Sequence, residues 1–217
     1  MKRGWFITLE GGEGAGKTTQ CRVMKSHFEN LGYDVILTRE PGGTPEAEKI
    51  RNLLVQRDGG NWTPMAECLL FFAARQMHVE SLIKPALAAG KIIISDRFTD
   101  STVAYQGYGH GFDLDVIRRI EELTLNGFKP DLTFLLDLPV ETGLKRSLKQ
   151  KSVASGLENT EDRFEGLDTS FHHRLRDGFL SLARMNPERI VTVDAAQEPE
   201  TVSQSILSIL KERIHAV

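Results

Sequence analysis

The stretch Phe6-Ile7-Thr8-Leu9-Glu10-Gly11-Gly12-Glu13-Gly14-Ala15-Gly16-Lys17-Thr18 constrains this chain more than any other. An apolar, β-favouring run over residues 5–10 stops at a glycine-rich turn, and a helical pattern over 17–31, closed by Gly32, follows it. The turn fits the spacing G-x-x-x-x-G-K-[ST] in full. Its glycines let backbone N–H groups point inward, and the helix behind it adds the positive end of its dipole. Such a turn cradles phosphate oxygens, with Gly11, Gly12, Glu13, Gly14, Ala15 and Gly16 as its wall. Lys17 is expected to reach β- and γ-phosphates, Thr18 to coordinate Mg²⁺, and Thr19 to complete the first helical turn around an ATP-like ligand.

Further β-rich runs lie at 33–38, 91–95, 132–138 and 189–193. Helical patterns lie at 45–56, 64–89, 114–126, 140–149, 168–185 and 197–214. Runs such as Ile92-Ile93-Ile94 are apolar without alternation, as strands covered on both faces should be. Strands alternating with helices predict an α/β chain, a five-stranded parallel sheet with helices on both faces. Ligands then collect beyond the carboxyl ends of the strands, so Gly11, Arg39 and Asp96 each open a candidate site segment. Asp96 is expected beside the phosphate loop, holding Mg²⁺ with Thr18; a helix cap or a structural partner for Arg97 is the competing role.

With 217 residues and 40% hydrophobic content, one core over 1–217 is expected. The 27 Lys and Arg against 30 Asp and Glu argue against a protein that coats nucleic acid by bulk charge. No apolar run is long enough to predict a membrane partner, and Cys21 and Cys68 have no zinc spacing. They read as buried thiols in a reducing, cytoplasmic setting. The histidines show no metal-ligand spacing either, and His172-His173 read as a solvated or lid-facing pair. Gly107, Gly109 and Gly111 read as a flexible turn, and the polar stretch 150–162 as a mobile loop.

A phosphate loop alone permits GTPases, mechanical ATPases and small-molecule kinases. No N-K-x-D sequence is present, which weakens the GTPase reading, and the chain is short for a mechanical ATPase. Arg39 in TREPGGT, Arg51, Arg75 in LLFFAAR and Arg97 in SDRFTDSTVAYQG suggest a second anion site facing the first. Transfer between two anions needs such an arrangement, because their repulsion must be offset while they are held in line.

Together LEGGEGAGKTT, TREPGGT, LLFFAAR, SDRFTDSTVAYQG, PDLTFLLDLP and GLKRSLKQK followed by EDR resemble the bacterial thymidylate kinase family over essentially the whole chain. The resemblance implies a phosphate-loop nucleoside monophosphate kinase-like fold with a short lid at about 143–163. It implies ATP and dTMP as substrates, Mg²⁺ as cofactor and a homodimer. Glu13 resembles the acidic residue near the deoxyribose 3′-hydroxyl, Phe71 the aromatic stacked on thymine, and Arg75 the donor to its O4. Arg39, Arg51 and Arg97 match contacts to the dTMP phosphate; Ser101, Thr102 and Gln106 match base contacts; Tyr105 matches the tyrosine beneath the 2′ position. Each has a plainer competitor: Phe71 and Tyr105 as core, Arg51 as a salt-bridged helix residue, Ser101 and Thr102 as caps.

The phosphate loop here contains no arginine, so charge on the transferring phosphoryl must be offset from elsewhere. Arg146, Lys149 and Arg163 are the candidates, with Lys17 and Arg97 completing the catalytic set; Arg163 matches the family's lid arginine best. Two other classes stay open: a kinase for another nucleoside monophosphate, and a non-catalytic nucleotide-driven switch.

Overall fold

The computed structural model describes residues 4–56, 60–153 and 166–214. Five parallel strands, β1 (Phe6–Glu10), β2 (Val35–Arg39), β3 (Ile92–Asp96), β4 (Leu132–Asp137) and β5 (Ile190–Asp194), form one sheet. Their order is β2-β3-β1-β4-β5. Every residue of β1 is buried, and so is β3 up to Ser95, which accounts for the lack of apolar–polar alternation in the run Ile92-Ile93-Ile94. β2 is half-buried because it lies at the edge; it starts two residues later than the pattern suggests, and Arg39 is its last residue rather than the first after it.

Helices α1 (Lys17–Asn30), α2 (Pro45–Val55), α3 (Pro64–His78), α4 (Lys84–Ala88), α5 (Thr99–Thr102), α6 (Leu114–Leu125), α7 (Val140–Val153), α8 (Thr169–Met185) and α9 (Pro199–Arg213) surround the sheet. α2 and α3 start alike: Thr44 and Thr63 cap their first turns, accepting from the N–H groups of Ala47 and Ala66, with Pro at the first helical position.

On one face Ile7, Leu9, Met24, Phe28 and Ile206 pack together; on the other Phe6, Phe72, Ile93 and Phe98 do. Each such side chain, fully removed from water, contributes about 1.5–3 kcal/mol. Phe6 meets Phe98 edge-on at 4.9 Å and Phe128 in a stack at 5.7 Å, tying β1 to the segment after β3. Cys21 and Cys68 are buried thiols, as their positions suggest, and burial pushes the Cys68 thiol up to about 11.

Two helical stretches depart from the sequence reading. Residues 64–88 follow one helical path, but Val79–Ile83 is wound as a π-helix. Residues Val103–Gly109 also form a π-helix, largely buried, where the glycines suggest a flexible turn. The reason is packing: a Cβ on Gly109 would lie 2.5 Å from the Phe171 ring, and one on Gly178 2.6 Å from Tyr108. These glycines let α8 lie close against the wide helix. For the same reason His172 is buried rather than solvated, while His173 is exposed and 3.1 Å from Glu141.

Candidate active site

β1 delivers the chain into the phosphate loop, where Gly14 has φ 67° and lies directly against the Gly143 carbonyl of α7. A side chain at Gly14 would be strained in its backbone and blocked by α7. Lys17 is buried and folds over the loop, donating to the carbonyls of Gly12 at 2.8 Å and Gly11 at 3.1 Å. Burial and the neighbouring Arg97 lower its pKa.

β3 pairs with β1 so that Asp96 stands opposite Leu9, next to the loop. The Thr18 hydroxyl donates to Asp96 Oδ2 at 2.7 Å. A hydroxyl and a carboxylate oxygen so close beside the cleft are hard donors suited to Mg²⁺, which keeps most of its waters and takes one or two protein ligands plus phosphates. Among the described residues no cluster of three His, Cys, Asp or Glu residues is placed to hold a metal by itself.

Arg97 is the hub of the other side. It follows β3 with φ 75°, a left-handed conformation unusual for a side chain with a Cβ, and its contacts hold it there. Nη1 donates to the Gly11 carbonyl at 3.0 Å and to Ser101 Oγ at 3.1 Å; Nη2 donates to Glu13 at 3.1 Å and to the Tyr105 hydroxyl at 3.0 Å. Tyr105 in turn donates to Glu13 at 2.5 Å. Burial alone would raise the Glu13 carboxyl, but Arg97 and Lys17 outweigh it and hold Glu13 down at about 2. Burial likewise disfavours charge on Arg97, yet Tyr105 and Glu13 more than offset this and keep the guanidinium cationic.

Two hollows meet at this hub. A cavity of about 740 Å³ is lined by Phe71, Arg75, Ser101, Thr102, Tyr105 and Gln106 among others; a cleft of about 1750 Å³ runs along Lys17, Thr18, Thr19, Arg39 and Asp96. They share Glu13, Glu40, Arg51 and Arg97. In the cavity wall Arg75 is buried and fixed on three sides. Nε pairs with Glu40 at 2.6 Å, and Nη2 donates to the Phe98 carbonyl at 3.2 Å and to Thr102 Oγ1 at 3.0 Å. Among the described residues its Nη1 has no partner. Gln106 donates from Nε2 to Glu67 at 2.9 Å, which fixes the amide orientation and, among the described residues, leaves Oε1 without a donor. An unmet donor and an unmet acceptor in one wall each cost about 1–3 kcal/mol until a ligand supplies the complement.

Most of the expected residues come together. Phe71 is 8% exposed, lines the cavity and also packs on Leu54 and Val55, so it is at once wall and core. Arg51 reaches the Pro41 carbonyl at 2.7 Å. Arg39 stays exposed and pairs with Glu48 at 3.3 Å in the larger cleft. Ala15 is buried behind the loop. Arg146 starts beside the phosphate loop, its Cβ against Gly14, but its guanidinium turns to the carbonyls of Ala195 at 2.8 Å and Ala196 at 3.2 Å. Arg163 and most of the expected loop at 150–162 lie outside the described residues.

Sequence reasoning passed over Glu10, Glu40, Glu67 and His78, all buried around the cavity. A signal existed: Glu67, Arg75 and His78 are polar residues on the strongly apolar α3, and Arg75 and His78 share a face at i, i+3.

The family model described as thymidylate kinase matches residues 9–206. The chain is 46% identical to a thymidylate kinase of Geotalea uraniireducens over 211 residues, covering 97% of this chain and 98% of that protein. It is 45% identical to one from Caulobacter vibrioides over 214 residues, covering 99% of each. Its fold is similar to the crystal structure of thymidylate kinase from Ehrlichia chaffeensis, with TM-score 0.75 and 34% identity over 96% of this chain and 99% of that one. Sheet order, phosphate loop, paired hollows and whole-length similarity agree, and the chain belongs to the thymidylate kinase family.

Proposed function

We propose that the enzyme transfers the γ-phosphoryl group of ATP to a phosphate oxygen of dTMP, giving ADP and dTDP by direct in-line displacement. The observation that carries this is the cavity wall behind Arg97. The unmet Arg75 Nη1 is a donor for a 4-oxo group, and the unmet Gln106 Oε1 is an acceptor for a ring N–H. A pyrimidine dione presents that pair on one edge, and Phe71 offers its ring face. Thr102 fixes Arg75, and Tyr105 supports the sugar end beside Glu13.

The acceptor phosphate is assigned to Arg97, Arg39 and Arg51, which the larger cleft joins to the phosphate loop. Guanidinium forks hold it against the charge of the donor, while the loop amides and Lys17 hold the ATP phosphates. Mg²⁺, when bound, neutralises charge shared by the β- and γ-phosphates; Thr18 and Asp96 would hold it. Ser101 supports Arg97 in this reading rather than touching the base. Arg146 is occupied at Ala195 and Ala196, so we assign the offset of charge on the transferring phosphoryl to Arg163. Arg163→Ala should lower kcat with little change in KM for dTMP; equal losses in both would remove this assignment.

The reading carries with it a cytoplasmic enzyme, where ATP and nucleoside monophosphates are found. Among the described residues no helix is long and apolar enough to cross a membrane. A homodimer is supported by apolar side chains left outside, with Met65 and Leu69 exposed on one face of α3 and Leu53 exposed on α2. One assay tests the whole proposal: ADP release from ATP with dTMP, dUMP, dCMP, UMP, GMP and AMP added in turn. Release that depends on dTMP above the others is expected; slow release indifferent to the acceptor would refute it. Since uracil presents the same edge as thymine, dUMP is the informative rival.

A further inference from the structure

Arg75 can read a base only if its guanidinium is held in one plane, and the side chains that hold it form a chain leading away from the cavity. Glu40 Oε2 accepts from Arg75 Nε at 2.6 Å, and Glu40 Oε1 lies 2.9 Å from His78 Nδ1. His78 Nε2 in turn lies 2.8 Å from Thr38 Oγ1 on β2. Arg75, Glu40 and His78 are 2%, 4% and 0% exposed, so no bulk water competes for these bonds.

The hydrogen-bond directions follow from the chemistry of the atoms. Glu40 takes the Arg75 Nε–H on one oxygen, so the other oxygen faces His78 as an acceptor and needs a proton from Nδ1. The Thr38 hydroxyl can then donate to Nε2. Rotation of the ring is blocked by packing. A Cβ placed on Gly43 would lie 2.5 Å from both His78 Nε2 and Thr38 Oγ1, so the loop after Glu40 closes directly over the imidazole. Gly43 has φ 87°, and its N–H is held by Glu48 at 3.0 Å, which fixes the loop in that position.

We propose that His78 is a positioning residue for pyrimidine recognition. Acting through Glu40, it locks the Arg75 guanidinium in the plane that presents Nη1 to a 4-oxo group. His78 touches neither substrate; it spaces α3 from the end of β2 and fixes the rotation of Glu40 about its own side chain. The inference rests on the base-reading role given above to Arg75. Its prediction is a selective one: the relay affects dTMP and leaves ATP alone, because the phosphate loop shares no hydrogen bond with it.

The test uses steady-state kinetics of the full-length enzyme with three His78 variants and one Arg75 variant. His78→Asn places an amide N–H where Nδ1 was and should keep KM for dTMP within about twofold of wild type. His78→Gln reaches toward Thr38 but not Glu40, and His78→Leu reaches neither; both should raise KM for dTMP about tenfold, the scale of losing one hydrogen bond to a charged group. In all three, kcat and KM for ATP should stay near wild type. Arg75→Lys should raise KM for dTMP by at least as much.

If Arg75→Lys is affected while His78→Gln behaves as wild type, the relay is overturned and the base reading stands. If Arg75→Lys leaves dTMP binding unchanged, the base reading fails and the relay falls with it. Loss of ATP binding in parallel with dTMP binding would mean general disorder of the site and would also overturn the proposal. Should the leucine variant fail to fold, the asparagine and glutamine pair still decides. An independent readout on the wild-type protein is ¹⁵N NMR of the histidine rings: His78 should carry its proton on Nδ1, and a ring protonated on Nε2 alone would refute the relay.

Discussion

Replacing Glu10 by glutamine probes a buried carboxyl beneath the acceptor pocket. Glu10 is 1% exposed; its Oε1 accepts the Phe98 N–H at 2.7 Å, and its Oε2 lies 2.5 Å from Ser101 Oγ. Burial, reinforced by the Asp100 carboxylate and only partly countered by Arg97, pushes this carboxyl from its ordinary 4.5 to about 8. Across that window the native chain holds a proton that the unfolded chain has released. Stability therefore falls as pH rises from about 4.5 to about 8, at about 1.4 kcal/mol per pH unit for one proton. Between about pH 5.5 and 7.5 the loss due to Glu10 is about 3 kcal/mol. Glu10→Gln has the shape of the protonated side chain: its oxygen still accepts from Phe98 and its amide donates to Ser101. Urea unfolding of both proteins at several pH values in this range measures the difference directly. The variant's stability advantage over wild type should widen by about 3 kcal/mol from the acid end to the alkaline end of this range. Glu13, held down at about 2, gains its effect below pH 4.5 and is common to both proteins. Parallel stability curves, or a variant weaker than wild type at pH 7.5, would refute the reasoning.

Phe71→Ala removes the ring face of the cavity and should raise KM for dTMP roughly three- to tenfold with KM for ATP unchanged; an unchanged dTMP value moves the stacking surface elsewhere. Gly43→Ala forces a Cβ against His78 and Thr38 at φ 87°, and thermal unfolding should report a loss of about 2–4 kcal/mol. A wild-type melting point there would mean the loop relaxes freely. Asp96→Asn keeps the hydrogen bond to Thr18 within reach but removes the charge; half-maximal activity should need about tenfold more Mg²⁺. The same Mg²⁺ dependence as wild type would take Asp96 out of the metal site.

The strands were legible because β1, β3 and β4 are covered on both faces and so carry apolar runs without alternation, such as Ile92-Ile93-Ile94 and Phe134-Leu135-Leu136. The phosphate loop was legible because its spacing is set by backbone geometry, not by distant partners. The wide helix at Val103–Gly109 was not, because Gly109 answers to Phe171, a residue far along the chain, while locally the glycines read as a turn. His172 was misread for the same reason: α8 is buried by that close approach. Arg97 and Arg75 could be named as anion- and base-facing residues, but nothing local marked Glu40 as the group that holds Arg75, or Glu10 as the group that holds Ser101 beside Arg97. Buried carboxylates acquire meaning only once a partner from another element is brought beside them.

The position of β1 in the sheet divides the labour of the molecule. The cavity wall, apart from Glu13, is drawn from residues 40–106, a stretch that leaves β2, passes through β3 and ends with Tyr105 packed among Leu135, Phe171 and Phe179, while Ala195 and Ala196, the carbonyl partners of Arg146, lie across β1 with β4 and β5. One stretch of chain therefore carries most of the acceptor wall. Selection for a different acceptor can rewrite that stretch while the phosphate loop and the opposite flank keep their sequence. Asp96 and Arg97 lie in the same stretch, so any such rewriting has to spare the two residues that tie the acceptor wall to the phosphate loop.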